Sequence, residues 1–283
     1  MNLWHDLMDP TMGGIFWRAA IVALAIAVMG SALSVLTVLK RLAFIGQGVS
    51  HAAFGGMGIV AILGLAASGL GAFAIVLAFC LSAAWVIVRL SDRRSTGADA
   101  AIGIVLVASM ALGAILLREA MRAPRAGAPP PAWEAVLFGS LTGVTWSDTI
   151  LAWSVAGVVI GAGGWWRRGL VFWAFDESSS EAFGVPARAM KTLLLILLTL
   201  AIVAAMRLAG VVLATALLVL PGATALLLSD RWWRVVAIAG LVGVVGTLLG
   251  LVLSYEADWP PGPSIVAALT IIFALARVGR PGG

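Results

Sequence analysis

Of 283 residues, 62% are hydrophobic and only 11% charged, and mean hydropathy is +1.08. That is too little charge to cover a soluble domain of this length. The formal charge of +5 lies in short clusters between apolar runs, which points to loops that orient a membrane protein rather than to nucleic acid, and the single cysteine, Cys80, excludes an internal disulfide or thiolate metal cluster.

Apolar segments of about 17 to 25 residues recur along the whole chain, as in bilayer-spanning helices. A transmembrane barrel would show shorter segments of alternating polarity. The opening MNLWHDLMDPTMGG has no positive region or cleavage signature and reads as an interfacial turn, not a signal peptide. The first span covers 14–39, with Arg18 snorkelling near its start and Lys40 and Arg41 closing it. A second span covers 43–65 and a tight turn follows. The third reaches Val88, before Arg89, Arg93 and Arg94, and the fourth covers 98–117.

Prolines at 124 and 129–131 then disfavour helix. The region 132–163 reads as one short or re-entrant segment, over LFGSLTGVTWSD (137–148), and one full span; two short spans are the other reading. Residues 166–191 form the one substantial polar stretch, with a short helix expected at 177–183 and stopped by Gly184. The apolar run resumes at Thr192 and breaks at Arg207 and Gly210. It continues over 211–228, where Pro221 and Gly222 mark a kink or discontinuity. The last spans, 235–253 and 265–276, flank SYEADWPPGPS. The expectation is an all-α polytopic membrane protein of eight or nine transmembrane helices, a single transmembrane domain over 1–283 with a cytoplasmic region at 166–191. The basic clusters fit nine spans with the N-terminus outside and the C-terminus inside, at the expense of leaving Arg118, Arg122 and Arg125 external.

The chemistry concentrates in KRLAFIGQGVSHAAFGGMG (40–58). Spacing of four puts Gln47 and His51 on one helix face, and a neutral imidazole is a good ligand for borderline transition metals. Glycines around the pair allow close helix packing or a narrow passage. The plain alternative is a packing histidine bonded near Ser50. Asp148 either caps a helix or lines a polar passage. No Gly-rich loop followed by GK and Ser or Thr occurs, so the chain does not hydrolyse ATP itself, and no HExxH or multiple-His cluster supports an enzyme.

Taken together and in order, KRLAFIGQGVSHAAFGG, LFGSLTGVTWSD, FDESSSEAFGV (175–185), AGVVLATALLVLPGATALLL (209–228) and SYEADWPPGPSIV (254–266) resemble the permease subunit of the ABC-3 family of bacterial metal transporters. The resemblance implies a homodimer in the bacterial cell membrane, the inner membrane where there are two, surrounded by membrane lipid, supplied with metal by a periplasmic or extracellular binding protein and driven by separate cytoplasmic ABC ATPase subunits. It places ATPase coupling on Phe175, Asp176, Glu177, Glu181, Phe183 and Gly184, and a proline-containing span on Pro221 and Gly222, whose kink either opens a path or is a static bend; Asp148 stays a pathway candidate on its own residue reading. His51 matches the family histidine. Gln47 stands where the family commonly has an acidic residue, which removes hard oxygen character and shifts the expected transient cargo toward Zn2+ over manganese or iron. No tightly bound cofactor is implied. An ATPase-independent secondary transporter is the alternative, disfavoured by the paucity of internal carboxylates.

Overall fold

The computed structural model describes residues 12–66, 69–91, 97–122 and 143–279, which are helical with no strand among them. The elements are α1 (Met12–Leu39), α2 (Ala43–Ile62), α3 (Leu70–Ser91), α4 (Ala98–Arg122), α5 (Trp146–Trp165), α6 (Arg167–Phe175), α7 (Glu177–Ser180), α8 (Ala187–Leu217), α9 (Leu220–Leu228), α10 (Trp232–Ala257) and α11 (Pro261–Val278). Residues 137–142 of the re-entrant segment expected from sequence lie outside the described residues.

Among the described residues eight stretches are long and apolar enough to cross a membrane, one of them the 42-residue Ala187–Leu228. A straight helix of that length would measure about 63 Å, twice the hydrocarbon thickness. It is not straight: Gly210 has φ 86° and ψ 164°, a conformation that a side chain would strain, and it breaks α8. Arg207 meets Asp148 on one side of that break. Beyond it, Leu217 lies beside Gly30 and Gly222 beside Ser34, and α10 then starts at Trp232, whose ring meets Phe175. Residues 187–209 therefore cross in one direction and 211–228 return, so the eight apolar stretches make nine crossings.

The two ends of the bundle follow from contacts. Lys40 meets Glu177 and Trp173 and Phe175 meets Trp232 at one end. Phe16 meets Tyr255 and Arg207 meets Asp148 at the other. The first end carries Lys40, Arg41, Arg167, Arg168 and Arg234, and the positive-inside rule assigns it to the cytoplasm. Glu256 and Asp258, at the end of α10, then face outward.

Close packing fixes the centre. A Cβ on Gly56 would stand 2.9 Å from the Val76 Cα, and one on Gly113 2.5 Å from the Phe54 carbonyl oxygen, so α2 is wedged directly against α3 and α4. Pro221 is not inside a continuous helix. It sits in the first turn of α9, where its missing N–H costs no intrahelical bond, and Gly222 lets that turn press on α1. A Cβ there would lie 2.5 Å from the Ser34 carbonyl carbon. Gly222→Ala is expected to cost about 1 to 3 kcal/mol through overpacking, read as a lowered thermal midpoint in detergent. Gly240→Ala, which meets open space, is expected to leave the midpoint unchanged or raise it slightly.

Candidate functional site

α2 is covered by α3 and α4, and Gly46 packs toward Ile202 and Leu218. Ile45, Gly48, Val49, Ser50, Ala52 and Ala53 are buried, whereas Phe44 and Gln47 are exposed and His51 and Phe54 half-buried. These four recur at helical spacing and form a face of α2 that lies open among the described residues. The only histidine among the described residues therefore faces out of the subunit.

Gln47 and His51 meet on this face, the amide nitrogen lying 3.0 Å from Nε2 of the ring. Nδ1 is buried without a hydrogen-bond partner. The nitrogen on the open side is thus Nε2, and a ligand reaching it must displace or share the Gln47 contact. Ser50 does not hold the ring, since its hydroxyl donates to the Gln47 carbonyl at 2.9 Å. Among the described residues no group of three or more His, Cys, Asp or Glu could hold a metal ion. This face of one chain offers one imidazole and one neutral amide, too few donors for a closed metal cage.

Asp148 is drawn into a different arrangement. It occupies the third position of α5 in a capping box: its backbone N–H donates to Thr145 Oγ1 at 3.3 Å, and its carboxylate accepts from the Thr145 backbone N–H at 3.1 Å. Its other oxygen accepts from Arg207 at 3.1 Å, with both side chains largely buried. Asp148 therefore ties the start of α5 to the arm that ends at Gly210. Pro221 and Gly222 pack on α1, away from the Gln47 and His51 face.

At the cytoplasmic end the predicted coupling residues form one projecting unit. Asp176 caps α7, accepting from the Ser179 backbone N–H at 3.0 Å and the Ser178 hydroxyl at 2.8 Å. The hydrogen bonds from Ser179, then that from Ser178, hold its carboxyl down to about 2. Glu177 is also lowered, chiefly by its hydrogen bond from Lys40. Depressed carboxylates lend their stability above the ordinary carboxylate pKa and lose it as pH falls through the folded value, so this cap is fully charged across the physiological range. The helix expected over 177–183 is a single helical turn over 177–180 followed by turn residues. It closes at Gly184 (φ 76°) by paired bonds from Val185 N–H to the Ser180 carbonyl and from Gly184 N–H to the Glu181 carbonyl.

Phe175 and Phe183 are 65% and 74% exposed, and Glu181 is exposed beside them. Sequence reasoning missed Lys40 and Trp173. Lys40 donates to Glu177 at 2.7 Å and lies 4.1 Å from the centre of the buried Trp173 ring, joining the end of α1 to this unit. No local signal links residues 137 positions apart.

A family model described as the ABC 3 transport family matches residues 12–279. The chain belongs to the ABC 3 transport family. It is similar to the manganese transport system membrane protein MntB of Synechocystis sp., at 31% identity over 98% of this chain and 87% of that one. It is also similar to the chelated iron transport system membrane protein YfeD of Yersinia pestis, at 27% identity over 98% and 90%. Among solved structures, PsaBC from Streptococcus pneumoniae in complex with Fab contains a chain that matches with a TM-score of 0.83 at 27% identity, covering 98% of this chain and 95% of that chain. The ABC 3 chain is thus a multi-pass membrane permease subunit of an ABC transporter and not itself an enzyme.

Proposed function

We propose that this permease imports a divalent first-row metal ion, with two copies of the chain facing one another across a path lined by Gln47 and His51. The observation that carries the reading is the polar pair on the open face of a helix buried elsewhere. Polar side chains turned to hydrocarbon are expensive, and a second copy would cover them while supplying a second imidazole. Two neutral imidazoles and two amides make a site weak enough to release its ion, as conduction requires. A binding protein on the outer, periplasmic side of the inner membrane would deliver the ion, and a cytoplasmic ATPase would seat on the unit from Phe175 to Gly184. Exposed Phe175 and Phe183 supply the apolar anchor, and Asp176, Glu177 and Glu181 the rim.

The names borne by the relatives favour manganese, with iron next. A zinc reading rests on Gln47 alone, because a site without a carboxylate is poor in the hard oxygen that manganese prefers. Metal uptake into proteoliposomes holding this permease, its ATPase and its binding protein tests both. ATP-dependent uptake of manganese ahead of zinc is the expected result; zinc ahead of manganese would favour the second reading, and no ATP-dependent uptake of any of manganese, iron or zinc would overturn the function.

In the same vesicles Phe183→Ala is expected to lower transport at least tenfold, with membrane insertion unchanged. Truncation of a buried aromatic anchor commonly costs 2 kcal/mol or more, about thirtyfold in binding. Unchanged coupling of ATP hydrolysis to uptake would show that the ATPase seats elsewhere.

A further inference from the structure

A groove of about 680 Å³ opens at the cytoplasmic end between α1, α5, α6 and α10. Its walls are apolar, with Leu36, Val159, Leu170 and Val236 among them, and its mouth carries Arg167 and Arg168. Three of the four walls belong to membrane spans, so the groove lies at the depth of the cytoplasmic leaflet. The two arginines directly follow the last turn of α5, next to exposed Trp165 and Trp166, where headgroups and interfacial aromatics meet. Arg167 stacks over Trp233, 5.5 Å from the ring centre. Among the described residues neither arginine makes an ion pair with a carboxylate.

From this combination we infer that the groove is a binding site for an anionic phospholipid of the cytoplasmic leaflet, with an acyl chain between α1 and α5 and the phosphate at Arg167 and Arg168. The commitment to lipid follows from depth and charge together. A cytosolic protein cannot enter between spans at hydrocarbon level, whereas a lipid is already there. An acyl chain gains little by moving from the bilayer into an equally apolar groove, so selectivity resides in the headgroup. Two unpaired arginines near the surface are expected to favour a net negative headgroup over a zwitterionic one by about 30-fold. Gly164 lines the groove and a Cβ added there meets open space, so a larger side chain at this position fills the acyl slot without pushing on backbone.

The test uses the full chain, purified with its ATPase, and phosphatidylglycerol carrying a photoactivatable acyl chain, with phosphatidylcholine of the same chain for comparison. Labelling is expected on the α5 and α6 peptide from 159 to 172, at least tenfold stronger for phosphatidylglycerol. It should be lost in the Arg167→Gln, Arg168→Gln double variant and in Gly164→Leu, and kept in Arg277→Gln. Gly164→Leu retains both charges, so its loss of labelling would separate an acyl slot from a diffuse basic surface. Equal labelling by the two lipids, or labelling that survives both sets of substitutions, would overturn the proposal. So would efficient disulfide formation between two copies through Ile160→Cys in a Cys80→Ala background, since a second copy would then fill the groove.

Discussion

Metal uptake by the His51→Ala permease is expected to fall about 100-fold, while the dimer assembles and the ATPase keeps its basal rate. Loss of a residue that merely supports a metal ligand typically costs 10- to 100-fold in affinity or activity, and on the proposed path the imidazole is itself the ligand. There is little to replace it: no cluster of three metal-binding side chains exists among the described residues, and Gln47 alone offers a neutral amide. The effect on folding should be small, because His51 is only half-buried and the hydrogen bond its ring makes is to Gln47, one turn away on the same helix. Radiolabelled manganese and zinc uptake, read beside the size of the purified complex, checks both halves. Full uptake by a correctly assembled variant would remove His51 from the path.

Gln47 sharpens the same experiment. Its amide lies against the ring nitrogen that an incoming ion would use. Gln47→Ala frees that nitrogen and is expected to keep uptake within a few-fold of wild type. Gln47→Asp adds a charged hard oxygen and is expected to raise manganese uptake relative to zinc. A ratio that does not move in Gln47→Asp would mean that selectivity is set outside this face, for instance at delivery.

The spans were legible because hydrophobic length is a local property. So was the break at Gly210, announced by an arginine and a glycine inside an apolar run, and so was the glycine at 184 that closes the short cytoplasmic helical segment. Four-residue spacing also sufficed to pair Gln47 with His51. What sequence could not show is what each polar group meets across the fold. Lys40 reads as an orienting charge at the end of a span, yet it is the donor that holds Glu177. Pro221 reads as a helix interruption, but whether a proline bends a helix or begins one depends on where the preceding segment stops, and here it stops at Leu217. The open face of α2 is visible only once α3 and α4 are packed against its glycines.

Asp148 is the residue for which the two sequence readings make the most divergent predictions. The ion pair with Arg207 is largely buried, so Asp148→Ala takes from that guanidinium its carboxylate partner and also removes one half of the capping box at the start of α5. The expected loss is about 1.5 to 3 kcal/mol for the charge-assisted hydrogen bond and up to about 1 kcal/mol for the weakened capping box, read as a lowered unfolding midpoint in mixed micelles. Asp148→Asn keeps a side chain that can cap and should recover the smaller part. Adding Arg207→Met to Asp148→Asn removes the other charge of the pair, and replacing a buried pair by uncharged groups is often neutral, so this double variant should unfold near the wild-type midpoint. Its transport then decides the role. Restored uptake would make Asp148 a clamp between α5 and the Gly210 turn, whereas a stable double variant that moves no metal would place the carboxylate in the path itself.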